Sequence, residues 1–97
     1  MIPKARFTYH AFDRAAERLH LTHSQVKEIL DSGKVILIGK EIGTNRIHRL
    51  FYSIIDELAF VAVQDEKNGE VVTILPPDYH HRWRISFEAV NEARQMV

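Results

Sequence analysis

The 97-residue chain contains no cysteine. That absence excludes a disulfide framework, a thiolate metal site and a cysteine nucleophile, and it is compatible with a reducing compartment. Net charge is absent too: 13 Lys and Arg stand against 13 Asp and Glu. A nucleic-acid partner would therefore have to be held by a local patch and not by bulk charge. No run approaches the roughly 18 apolar residues that span a bilayer, and the opening Met1-Ile2-Pro3-Lys4-Ala5-Arg6 lacks an apolar leader. These absences lead us to expect a cytoplasmic protein with no membrane partner. There is no Gly-rich phosphate loop and no Gly-x-Ser-x-Gly elbow, which argues against nucleotide hydrolysis and serine esterase chemistry. With no internal repeat and no Pro/Gly/Ser linker, residues 1–97 are expected to form a single domain.

What is present is an ordinary globular composition, 45% hydrophobic and 27% charged, enough for one modest core. Thr8 is a good N-cap for a first helix, and Thr22-His23-Ser24-Gln25 is a capping-box arrangement for a second, with Val26, Ile29 and Leu30 at helical spacing and Gly33 as its stop. The pattern then turns extended. Val35 to Ile38 reads as a strand, Lys40 to Asn45 as a hairpin loop, and Arg46 to Ile55 as a strand with Arg46, His48, Leu50 and Tyr52 on one face. Leu58 to Val63 is apolar throughout, which predicts a central strand covered on both sides. The turn Glu66-Lys67-Asn68-Gly69 leads into a last strand, Glu70 to Leu75, closed by Pro76-Pro77. Ser86 caps a final helix through Met96 with Phe87, Val90, Ala93 and Val97 as its apolar side; whether it covers the sheet or a partner chain stays open. The expected class is α+β: two N-terminal helices followed by an antiparallel sheet of about four strands and a C-terminal helix.

In the first helix, His10, Arg14 and Arg18 recur at four-residue steps and form a stripe joined by Glu17. Phe12, Ala15, Ala16 and Leu19 fall opposite, as the expected core face. An imidazole backed by two guanidiniums suits phosphate handling; equally, the stripe is a solvated face on which Asp13 and Glu17 pair with the arginines. Tyr79, His80, His81, Arg82, Trp83 and Arg84 form a second dense cluster. Tyr79, His80, Arg82 and Trp83 either stack a base and bind a phosphate, or Tyr79 and Trp83 pack the last helix on the sheet. None of the six histidines has the spacing of a zinc hydrolase motif, so neither a metal nor a cofactor is expected.

Two anchors, Tyr9-His10-Ala11-Phe12-Asp13-Arg14 with Glu17-Arg18, and Glu70-Val71-Val72-Thr73-Ile74-Leu75 after the Asn-Gly turn, resemble an uncharacterised family of short domains. That family is similar to the barnase, EndoU, colicin and RelE ribonuclease fold, and the resemblance covers roughly residues 7 to 80. It implies metal-independent RNA cleavage, in which the ribose 2′-hydroxyl attacks the adjacent phosphate, and a toxin-like role with an antitoxin partner. On that basis the catalytic candidates are His10, for acid or base work, Arg14 and Arg18, holding the phosphate, and Thr73, adding a hydroxyl donor. Lys34, Arg46 and His48, with Tyr79, His80 and Arg82, are the RNA-binding candidates. The zero net charge departs from the basic character common in such toxins. It leaves an alternative, a non-catalytic protein-interaction module that works as a homodimer.

Overall fold

A computed structural model describes residues 2–75 and 85–97. In chain order the elements are β1 (Arg6–Phe7), α1 (Tyr9–Arg18), α2 (His23–Asp31), β2 (Ile36–Lys40), β3 (Arg46–Ser53), β4 (Leu58–Asp65), β5 (Glu70–Leu75) and α3 (Phe87–Gln95). The chain is α+β, with one sheet in the order β1-β5-β4-β3-β2. The four strands expected from the sequence pair antiparallel, and a fifth, β1, adds itself parallel to β5 through Arg6 and Phe7. Two residues are too few to show any alternation, so this strand exists only because β5 is there to receive it.

The apolar run of β4 lies at the centre of the sheet, as its continuity predicts. Phe60 and Ala62 face α1 and α2 with Phe51, Val71 and Ile74 of the flanking strands and Ala11, Ala15, Leu19, Val26 and Leu30 of the helices. Phe51 and Phe60, directly opposed across β3 and β4, stack with ring centroids 5.6 Å apart. Ala59 and Val61 face the other way with Leu50 and meet Ala89, Val90 and Ala93 of α3. The last helix therefore covers the sheet. It does so with its small residues, while Phe87, expected on the packed side, is 84% exposed. Among the described residues no helix is long and apolar enough to cross a membrane.

The helix starts are local events. Thr8 accepts from the Ala11 amide, and Thr22 and Gln25 form the full reciprocal capping box. The rotation of α1, in contrast, departs from expectation. Its buried line is Ala11, Ala15 and Leu19; Ala16 is exposed and Phe12 is 46% exposed. The cause is the lateral position of the helix. It packs along β5 and against α2, and Thr8 ties its first turn to β5 by donating to the Val71 carbonyl at 3.0 Å. Small Ala11 and Ala15 then form the contact line, and the bulkier Phe12 turns to the rim.

Candidate functional site

The rotation of α1 decides what its polar stripe becomes. Arg18 moves to the boundary of the buried face, and its guanidinium donates to the Ile74 carbonyl on the edge of β5. Where β1 stops pairing, this bond supplies a donor to an edge strand. Arg14 pairs with Glu17 at 2.8 Å, one turn along the exposed surface. His10 is exposed and has no partner among the described residues.

Thr73 does not join this stripe by its side chain. Val63 pairs with Thr73 and Gln64 with Val71, so Val72 is an extra residue, a β-bulge in β5. The bulge breaks the alternation. Val71 and Ile74 both reach the α1 and α2 core, while Thr73 takes the side of Val63, with Val61 and Leu75 of the α3 cluster. Lys34 is exposed between α2 and β2, and Arg46 is exposed at the start of β3. His48 is buried on the α3 side, with Nε2 3.0 Å from Glu41 Oε1. β3 is separated from α1 by β4 and β5, so neither Arg46 nor His48 converges on His10. Tyr79, His80 and Arg82, with Trp83, lie outside the described residues.

What does gather beside His10 is aromatic. A cleft of about 400 Å³ at the start of α1 is lined by Phe7, Thr8, Tyr9, Phe12, Asp13 and His23. The His23 ring sits between Phe7, edge-on at 4.7 Å, and Phe12, tilted at 4.6 Å. Tyr9 is 93% exposed and offers an open ring face. At about 100° per residue, Tyr9 and Asp13 fall about 100° and 60° to one side of His10 on the helix, and Arg14 about 40° to the other. His10 thus stands on a ridge with an aromatic cleft on one flank and a guanidinium on the other. The sequence pattern places Phe12 on the core face and His23 in the first turn of the second helix, with no sign that the two rings meet. The expected capping box at Thr22 was the signal that His23 opens a helix, and only tertiary packing shows which rings it meets.

A second cluster joins the α1–α2 link to the β3–β4 turn, and it has no sequence signal at all. Asp56, whose side chain is 1% exposed, accepts from the His20 amide at 2.9 Å, from His20 Nδ1 at 2.8 Å and from the Ser53 hydroxyl at 3.0 Å. A carboxylate only accepts, so His20 carries its proton on Nδ1 and turns Nε2 toward solvent. Burial pushes the Asp56 carboxyl up, but the hydrogen bonds from His20 and Ser53 together hold it below the usual aspartate value. A carboxylate so depressed stabilises the fold at pH above its unfolded value near 4, and this contribution is lost as pH falls through the lower folded value. Asp56→Asn is accordingly expected to cost about 1–2 kcal/mol at pH 5. In urea unfolding the deficit should shrink as pH falls below 5 through the lowered folded value; a deficit independent of pH would contradict the charged network.

Among the described residues no group of three or more acidic residues and histidines is placed to hold a metal ion. No family model, curated protein or solved structure matches the chain, so the ridge of α1 with its cleft and guanidinium is the feature on which a functional conclusion rests.

Proposed function

We propose that this chain is a small domain that binds single-stranded RNA across α1 and cleaves it without a metal ion, with His10 as the proton-transfer group. The observation that carries the proposal is the position of His10, exposed on a ridge between an aromatic cleft and Arg14. Single-stranded RNA offers bases that stack on rings and phosphates that suit guanidinium donors, and a nucleotide needs these two partners side by side. His10 lies between them, where the ribose would be.

The chemistry follows from that order. The ribose 2′-oxygen attacks the adjacent phosphorus, the bond from phosphorus to the 5′-oxygen breaks, and the product strand ends in a 2′,3′-cyclic phosphate. His10 takes the 2′-hydroxyl proton, and a proton from water goes to the leaving 5′-oxygen. Arg14 donates to the phosphate oxygens that gain charge, exchanging its pairing with Glu17 for the phosphate. Arg18 serves by holding the helix to β5. Thr73 has no part in this scheme.

The test is cleavage of RNA by the purified chain in EDTA. Wild type is expected to yield 2′,3′-cyclic phosphate ends, and His10→Ala to lose activity by about 100-fold or more. Because His10 is exposed, the variant is expected to unfold like wild type. Equal rates for the two proteins, or no cleavage by wild type, would overturn the catalytic assignment.

A further inference from the structure

We infer that His20, in the link between α1 and α2, is a phosphoryl-acceptor histidine whose Nε2 takes a phosphoryl group from a donor that carries it on nitrogen. His20 lies beyond the opposite end of α1 from His10, and the inference does not depend on RNA cleavage.

Asp56 prepares the ring. Its carboxylate, 1% exposed, accepts from His20 Nδ1 at 2.8 Å, which keeps the ring proton on Nδ1 and leaves the Nε2 lone pair open on a side chain that is 94% exposed. A free neutral imidazole prefers its proton on Nε2, so this tautomer is one that the carboxylate imposes. The carboxylate cannot swing away, because the His20 amide donates to Oδ1 at 2.9 Å and the Ser53 hydroxyl to Oδ2 at 3.0 Å. Burial raises the Asp56 carboxyl, but these bonds outweigh it and keep the group ionised at neutral pH. It therefore stabilises the positive charge that the ring gains when Nε2 forms a bond. None of the other described histidines combines these features. His10 is exposed but has no carboxylate partner, His23 meets the Phe7 and Phe12 rings, and His48 turns Nε2 to Glu41 inside the fold.

The exposure of the ring decides which group suits it. Proton transfer to a bound substrate calls for a site that shuts water out, and an acyl group on so open an imidazole is lost to water. A phosphoryl group brings negative charge that slows attack by water, and it survives in the open. A metal ion needs further ligands, and among the described residues no group of three or more acidic residues and histidines is placed to supply them. In the transfer step the Nε2 lone pair attacks phosphorus and the phosphorus–nitrogen bond of the donor breaks. The donor nitrogen, protonated beforehand, leaves as a neutral amine with the electron pair of that bond. The Nδ1 proton stays on the ring, which becomes a phosphoimidazolium bonded to Asp56. One phosphorus–nitrogen bond replaces another, so the step needs no nucleoside triphosphate, in keeping with the absence of a Gly-rich phosphate loop.

The experiment incubates the full chain with potassium phosphoramidate and follows the phosphoryl group on each histidine by mass spectrometry, with His10 of the same molecules as the internal reference. His20 is expected to be labelled about tenfold or more faster than His10, and on Nε2. Nitrogen-15 NMR of the imidazole rings should show His20 of the wild type with its proton on Nδ1. Asp56 acts as a positioning residue, so Asp56→Asn should bring the His20 rate close to that of His10; a tie that only holds the two loops together would leave their ratio unchanged. Equal rates at His20 and His10 in wild type, a His20 ring protonated on Nε2 alone, or an unchanged ratio in a folded Asp56→Asn would each overturn the inference. The first two results decide it on wild type, whether or not the variant folds.

Discussion

Gly69→Ala is expected to destabilise the chain by about 3 kcal/mol or more. Gly69 has φ +78°, a conformation that costs an L-residue about 1–2 kcal/mol by itself. The added methyl would also collide with backbone. It would lie inside normal contact with the Lys4 carbonyl oxygen and 2.9 Å from that of Pro3, and neither can turn aside as a side chain can. The same residue is where β1 lands on β5: its carbonyl accepts from the Arg6 amide at 3.0 Å and from the Gln64 side chain at 3.0 Å. Moving the N-terminal strand away to make room would break the first of these bonds and loosen the base of the aromatic cleft at Phe7. Gly43 provides the control. It has φ +79° with open space around the position of a Cβ, so Gly43→Ala should show only the conformational cost of about 1–2 kcal/mol. Urea unfolding of the two variants separates the terms, and equal losses would show that the Lys4 and Pro3 contact yields freely.

The second large effect concerns a charge placed inside the core. Arg49 on β3 is 7% exposed, donates to Gln64 Oε1 at 2.6 Å and to the Leu30 carbonyl at 3.4 Å, and lies 5.1 Å from the centre of the Phe51 ring. Burial pulls the guanidinium below its ordinary value, and Asp31 pushes it back up. It remains a cation, because no protein environment deprotonates arginine. Gln64→Leu removes the strongest acceptor and leaves the buried charge under-solvated, at an expected cost of about 3–4 kcal/mol. Arg49→Met removes the charge and takes the donor only from neutral oxygens, the Gln64 amide and the Leu30 carbonyl, about 1–3 kcal/mol. The double variant should be less unstable than the sum of the two, since each penalty is chiefly the abandoned partner. Strict additivity in the cycle would show that the pair acts as two independent residues.

These residues mark how far the sequence could be followed. Alternation puts Arg49 on one face of its strand with Ile47, Phe51 and Ser53, yet nothing in its neighbours announces that this face turns inward with a cation on it. Its acceptor is fifteen residues away, on the next strand. The same holds for Asp56 and His20, brought together across thirty-six residues, and for Thr73, whose side of the sheet depends on a bulge at Val72. Of the candidate site, His10 and Arg14 are where helical spacing put them, on an open surface. Arg18 is drawn to the edge of β5, and Phe12 leaves the expected core face for the cleft.

Helix starts at Thr8, Thr22 and Ser86, the strand at Glu70–Leu75, the central place of the Leu58 to Val63 run and the α+β class are all written in the sequence, because caps, turns and alternation act over a few residues. The parallel seat of β1, the rotation of α1, the side taken by Thr73 and the rings that surround His23 come instead from long-range packing. Each of these turns on where one element lies against another, and that is settled by the fit of Ala11 and Ala15 on β5, by the Gly69 contact and by a single extra residue in a strand. Local patterns carry no information about such contacts, since the same amphipathic helix packs equally well at several rotations until a partner surface selects one.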